Sequence, residues 1–261
     1  MRKHFLVELW SYRELFYFLA WRDVNVRYKQ TVLGILWAII QPLFTMIIFT
    51  LLFGRLAKLP SDGTPHAVFY FGGLLPWIYF SGMLANTGNS LVGNTQLLTK
   101  VYFPRIILPA AAAFSGLIDF AIGSLLLVGL MAVYGIAPTW SLLLWVLAVV
   151  PLVLFTLGVG MILSALNVKY RDVKHAIPFI IQIWLFVTPV IYPTSIIPER
   201  FRFLLAFNPV TGIVELFRHA ITPSRPLDPA MLTISMGLIA TVFVAAVVYF
   251  RRAEREFSDV V

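Results

Sequence analysis

Six long apolar runs dominate this chain, at roughly residues 33–53, 67–92, 106–134, 142–166, 176–192 and 231–250. About 20 mostly apolar residues in a helix cross the hydrocarbon core of a bilayer. Lipid offers the backbone no hydrogen-bond partners, so such runs either span as helices or lie buried among helices that do. The fold class that follows is an all-α integral membrane protein with six transmembrane helices. At 261 residues, 60% hydrophobic and 12% charged, the chain is nearly used up by those spans, which leaves no room for a large soluble domain.

Charge gives an orientation. Counted by segment, 14 Lys and Arg fall before the first span, after the second and fourth, and after the sixth. The alternate loops hold six: Arg55, Lys58, Arg200, Arg202, Arg218 and Arg225. The positive-inside rule then places both termini in the cytoplasm. The net charge of +8 sits beside spans, where it serves orientation and headgroup contact rather than nucleic acid. Glu8 interrupts the early apolar residues, so no cleaved signal peptide is expected. The chain divides into a cytoplasmic segment 1–32, a six-span domain 33–250 and a cytoplasmic tail 251–261.

Two regions do not span. Residues 5–21 mix Trp10, Tyr12, Phe16, Tyr17, Phe18 and Trp21 with Glu and Arg, the composition of an amphipathic helix lying in the headgroup plane. Residues 193–229 hold two short apolar pieces, 195–207 and 210–221, split by Asn208 and Pro209. Proline removes a donor and ends the first piece. The economical form is an external hairpin of two short re-entrant helices that dips into the outer leaflet and lines or caps a pathway. The fifth span is short and bracketed by Pro178 and Pro189, which marks it as a helix that bends or moves. Ser81, Asn86, Thr87, Asn89 and Ser90, toward the cytoplasmic end of the second span, should face helices or a cavity.

Asp119 is the one formal charge read deep within a span, at a cost of ~2.5–3.5 kcal/mol. No Lys, Arg, His or second acid lies at comparable depth in another span. A proton relay is therefore disfavoured, and Asp119 is expected neutral or hydrogen-bonded at a helix interface. The chain has no cysteine, no phosphate-cradling loop, no nucleophile elbow and no histidine spacing for a metal. Energy for any uphill movement is expected from another chain.

Four stretches together carry a resemblance. They are Arg27-Tyr28 leading into Thr31, Gly34, Trp37-Ala38 and Pro42; Gly73 to Ser81 with Pro76-Trp77; Asn167 to Lys174 with Arg171-Asp172; and Gln182-Ile183, Thr188-Pro189, Tyr192, Pro198 and Asn208-Pro209. In this order and topology the chain resembles the membrane permease subunits of bacterial ABC exporters for polysaccharides (O antigen, teichoic acid or capsule) over nearly its whole length.

The resemblance implies a homodimer in the inner (plasma) membrane, paired with two copies of a separate P-loop ATPase that holds ATP and Mg. No cofactor is expected on this chain. A short helix around 94–105 would dock into the ATPase, with Lys100, Tyr102 and Arg105 as contacts. The external hairpin would act as a gate through Pro198, Phe201, Phe207, Asn208 and Pro209. A channel between protomers would be lined by the first and fifth spans, with Trp37, Phe44, Trp184, Phe186 and Tyr192 as aromatic faces for a sliding sugar chain. Arg27 would meet a lipid pyrophosphate at the cytoplasmic entrance, and Arg171 with Asp172 would form an elbow between spans. The alternatives are an exporter of a drug or small lipid, an ion-coupled transporter using Asp119, and a membrane glycosyltransferase. The last would need acidic or basic groups gathered at one membrane face.

Overall fold

The computed structural model describes residues 7, 9–29, 34–170, 172–223 and 227–254. Among them every regular element is a helix: α1 (Arg13–Lys29), α2 (Trp37–Phe49), α3 (His66–Asn89), α4 (Thr95–Lys100), α5 (Ile107–Ser115), α6 (Leu117–Val133), α7 (Leu142–Lys169), α8 (Val173–Val187), α9 (Glu199–Ala206), α10 (Pro209–Ile221) and α11 (Pro229–Ala253). Helix α2 is entered through a 3-10 turn at Gly34–Leu36 and leaves through a π-helical stretch, Thr50–Leu56. Gly34 takes φ +49°, a left-handed conformation that only glycine adopts at no cost, and this turns the chain from α1 into the first span.

Among the described residues, five stretches are long and apolar enough to cross a membrane: Gly34–Leu56, His66–Asn89, Ile107–Val133, Leu142–Lys169 and Pro229–Ala253. The third of these is broken at Gly116, so the single run read at 106–134 folds as α5 and α6. The run read at 176–192 becomes α8, with 15 residues. It stops where Thr188 turns extended ahead of Pro189, the conformation a following proline favours. The amphipathic helix expected to end near residue 21 instead runs on to Lys29, because Arg22–Lys29 contains no breaker and its Leu19 and Val24 side packs inward.

Helix α3 is the trunk. It packs against α2, α5, α6, α7, α8 and α10. Of its most apolar stretch 83% is buried, against 11% of Gly34–Leu56. It is also the least apolar of the five. Glycine, serine and asparagine suit a helix wrapped by other helices, whereas the helices that meet lipid need the greasier surface. The main core spans Tyr70, Phe71, Phe80, Leu84, Phe155 and Phe217. A smaller one joins Leu19 of α1 to Leu91, Phe103, Met161 and Phe250.

Contacts define two poles, separated by the roughly 42 Å length of the 28-residue α7. At one pole, Tyr12 donates to the carbonyl of Tyr102 at 3.5 Å and the backbone N–H of Arg105 donates to Glu254 at 2.8 Å. There too Asn167 donates to the Gly88 carbonyl and to Asn89, both at 3.1 Å. At the other pole, Thr64 meets Thr222 at 3.3 Å, Ser195 donates to Asp62 at 2.7 Å and Ser141 donates to the Ala220 carbonyl at 2.8 Å.

Candidate functional site

Polar side chains gather at two places. The first is a cleft of about 690 Å³ between α2, α3 and α6, reached by the last turn of α1. Its wall is largely apolar, with Pro42, Phe49, Leu74, Leu75 and Ile78. Gln41, Ser81 and Asn86 add polar atoms, and Trp37 stands half out of it. At its polar end Arg27 Nη1 donates to Asp119 Oδ2. Arg27 and Asp119 side chains are 30% and 28% exposed, so the pair faces the cleft rather than a sealed core. The partner of Asp119 comes from α1, 92 residues away in the chain. Asp119 is thus hydrogen-bonded at a helix interface, and Arg27 is engaged within the molecule.

The second place is a polar knot where α8 ends and α10 begins. Trp184 Nε1 donates to Asn208 Oδ1 at 2.9 Å, and Asn208 Nδ2 donates to Thr188 Oγ1 at 2.9 Å. Thr188 Oγ1 donates back to the Trp184 carbonyl at 2.8 Å. Asn208 Oδ1 also accepts from the Val210 N–H, so the same side chain caps α10, with Pro209 at its first position. The break after α8 leaves carbonyls that no continuing helix can satisfy. Arg218 fills that need: Nη1 donates to the Pro189 carbonyl at 2.6 Å and Nη2 to the Val190 carbonyl at 2.8 Å.

Arg218 is only 3% exposed. It lies 3.8 Å from the ring centre of Phe69 and pairs with Glu215 at 3.2 Å. Gly73 on α3 makes the space, since a Cβ there would sit 2.9 Å from Arg218 Nη2. The charge pattern places Arg218 among loop charges, but it stands instead on α10, which is buried against α3, α7 and α11. Neither Glu215 nor Arg218 stood out in the sequence. The available signal was their spacing of three within the apolar run 210–221, which places both on one helix face.

The other sequence candidates separate by exposure. Among the aromatics, Trp37, Phe44 and Phe186 present open faces. Trp184 instead packs edge-on against Phe80 and Phe155, because Ile181 and Thr188, three residues before it and four after, share its face of α8 and turn inward with it. Tyr192 is half-buried and donates to the Phe186 carbonyl at 3.3 Å. Of the hairpin residues, Pro198, Phe201 and Phe207 are exposed, while Asn208 and Pro209 are buried in the knot. Lys100 and Tyr102 project from the end of α4 and the loop beyond, and Arg105 is half-buried. Ser81 and Asn86 face the cleft, Thr87 and Ser90 are buried, and Asn89 accepts from Asn167, as the second span's polar residues required. Arg171 lies outside the described residues.

The ABC-2 type transporter family matches residues 14–222, from the first turn of α1 to the end of α10. The chain belongs to that family. It is 32% identical over 254 residues to the O-antigen export system permease protein RfbA of Myxococcus xanthus, covering 97% of each chain. It is 27% identical to the protein of the same name from Klebsiella pneumoniae, over 92% of each. It is 24% identical to the polysialic acid transport protein KpsM of Escherichia coli, over 89% of this chain and 91% of the other. Both the cleft and the knot of this ABC-2 transporter chain lie inside the matched region.

Proposed function

We propose that this chain is the permease subunit of an ABC exporter that moves a lipid-linked polysaccharide out of the cytoplasm, driven by ATP hydrolysis on a separate P-loop ATPase carrying ATP and Mg. The observation that carries the reading is full-length similarity to permeases named for O-antigen export and for polysialic acid transport, two cargoes that are long sugar polymers. The open aromatic faces of Trp37, Phe44 and Phe186 suit such a cargo, because rings pack broadly on sugar C–H surfaces and let a chain slide.

The functional unit is a homodimer in the inner membrane. Helices α2 and α8 flank α3 and leave apolar faces uncovered, among them Ile47, Ile48, Phe179 and Ile183, which a second protomer can cover around a shared channel. Six crossings with both ends of the chain on one side are supported by the pole contacts, and the excess of Lys and Arg on that side favours the cytoplasm. Tyr102, Arg105 and Glu254 meet at one pole, while Thr64, Ser141 and Thr222 belong to the other. Helix α8 with the turn behind it is then the remaining crossing, and α9 with α10 forms the external gate. The chain lacks cysteine, so single-cysteine variants report cleanly. Thr139→Cys should label from outside intact cells, and Thr99→Cys only after permeabilisation.

The decisive experiment is gene deletion with analysis of surface and intracellular glycan. Lipid-linked glycan retained inside the cell supports the reading. Normal surface glycan with altered drug sensitivity overturns it in favour of a drug or small-lipid exporter. Mass spectrometry of the gently purified protein should recover an ATPase in equal amount. Tyr102→Ala should lower that recovery without changing Tm, because Tyr102 is 86% exposed and contributes little to packing.

A further inference from the structure

We infer that α11 is the strut that carries movement of segment 95–105 to the outer hairpin, with Glu254 and Ser235 as the positioning residues that fasten its two ends. The inference rests on the exporter reading, in which that segment docks the ATPase and the hairpin is the gate. It deepens the reading by naming the link between them.

The first fastening follows from the backbone. Residues 101–104 belong to no helix, and Val101 is extended, so the shape of this loop depends on what holds it from outside. Phe103 and Pro104 are buried, Phe103 in the core it shares with Phe250 of α11, while Val101 and Tyr102 project outward. The turn into α5 begins with N–H groups that have no helical acceptor. Glu254 takes one of them: its Oε1 accepts from the Arg105 N–H at 2.8 Å, across 149 residues of chain. The dipole of a helix favours a negative charge at that end. The tether from α1, Tyr12 to the Tyr102 carbonyl, is long at 3.5 Å. A bond to a carboxylate at the shorter distance is the stronger of the two. The loop is therefore fixed chiefly to α11.

The second fastening lies at the outer pole. Ser235 of α11 is wholly buried and donates to the Ala206 carbonyl at the end of α9, at 3.2 Å. Gly212 on α10 lets the helices touch there, since a Cβ on it would stand 2.5 Å from Ser235 Cβ. The 19 residues from Ser235 to Glu254 cover about 28 Å, most of the distance between the poles.

Between the fastenings α11 is stiff. Sharp helix kinks arise chiefly at proline or at local breaks. Pro42, Pro76 and Pro151 lie inside α2, α3 and α7, and Gly116 interrupts 107–133. Among the five spanning stretches α11 alone has neither: its one proline is Pro229, at the first position, which suits a helix start. Helix α7 supports it along its side, and Gly158 brings the backbones close, since a Cβ there would stand 3.2 Å from Phe243 Cα. A displacement entering at Glu254 reaches Ser235 without a kink to absorb it.

The test uses the complex with its ATPase in nanodiscs, and cells carrying the same variants. Hairpin movement is read as the rate of disulfide formation between Asp62→Cys and Ser195→Cys, which replace a bonded pair in a chain with no other cysteine. ATP should change that rate in the otherwise wild-type chain. Glu254→Ala should leave ATPase recovery and hydrolysis unchanged, abolish the effect of ATP on the rate, and lower surface glycan by roughly tenfold, the size of a typical coupling. A merely structural role would lower recovery and hydrolysis together with export. Glu254→Gln keeps an acceptor oxygen for the Arg105 N–H and should restore most of both lost readouts. Ser235→Ala should give the same split in milder form.

No effect of ATP in wild type overturns the proposal, and so does an intact effect in Glu254→Ala. Glu254→Gln behaving as badly as Glu254→Ala overturns the role of the backbone bond. If Glu254→Ala does not assemble, a disulfide between Ala206→Cys and Ser235→Cys decides. Ends that move together tolerate that bond, so export should persist with it closed. Loss of export on oxidation, reversed by reductant, means that α9 and α11 must part, and sinks the strut. Wild type and Glu254→Ala exporting equally well removes the strut and leaves the exporter standing. Failure to recover any ATPase, with normal surface glycan in the deletion strain, removes both.

Discussion

Among the described residues, two arginine–carboxylate pairs in largely apolar surroundings are built on opposite plans. Arg218 and Glu215 sit three residues apart on one helix, and Arg218 is sealed in by two backbone carbonyls and the face of Phe69. Arg27 and Asp119 come from helices far apart in sequence, meet through one guanidinium nitrogen and look into a cleft. A buried cation held by two carbonyls, a carboxylate and a ring face rigidifies its surroundings, whereas a part-exposed pair that meets through one nitrogen can be exchanged. Burial and the number of partners, rather than the residue types, separate a joint from a switch.

Removing the sealed cation should have the largest effect. Arg218→Met leaves the Pro189 and Val190 carbonyls without donors and takes the cation from Glu215, a change of about 3–5 kcal/mol. Little folded protein should be recovered on size-exclusion chromatography in mild detergent. If Glu215→Leu added to it restores the yield fully, the carbonyl bonds were unimportant and the comparison breaks. Asn208→Ala comes next. It strips a partner from Trp184 and from Thr188 and uncaps α10, costing about 1–3 kcal/mol, to be read as a lower Tm.

Arginine-to-lysine exchanges sharpen the contrast. At 218 an ammonium cannot span two carbonyls and stack on Phe69 together, so Arg218→Lys should lower Tm clearly. Arg27→Lys should leave Tm nearly unchanged. The smallest effect belongs to Asp119→Asn, expected within ~1 kcal/mol of wild type because the pair is part-exposed. A Tm loss there as large as that of Arg218→Met would make both pairs structural.

Length and hydropathy were enough to find the helices, because a membrane forces every crossing into the same apolar pattern. What they could not do was say which way a helix faces. In α8, Ile177, Ile181 and Trp184 turn inward while Phe179, Ile183 and Phe186 turn outward, and both faces are equally greasy. Trp184 therefore looked the same as Phe186. Arg27 was filed with the cytoplasmic positive charges because its partner lies in a distant span. Arg218 reads as a loop charge in the sequence because its main partners are carbonyls, which are identical in every residue. The broken end of α8 at Pro189 was visible, and a broken end needs donors. That rule applied to the neighbouring short helix would have singled out Arg218.

The π-helical stretch Thr50–Leu56 ends the first span with wide turns, closed by the Ala57 N–H donating to the Leu52 carbonyl. Such a turn holds one residue more than an α-turn needs, so this part of the chain carries slack in its register. Loss of a single residue there could be absorbed by tightening into ordinary α-helix. The same loss in α3 would rotate everything beyond it by about 100° and disengage a helix packed on all sides. Insertions and deletions among relatives should therefore accumulate at the π-helical end of the first span and be absent from the trunk.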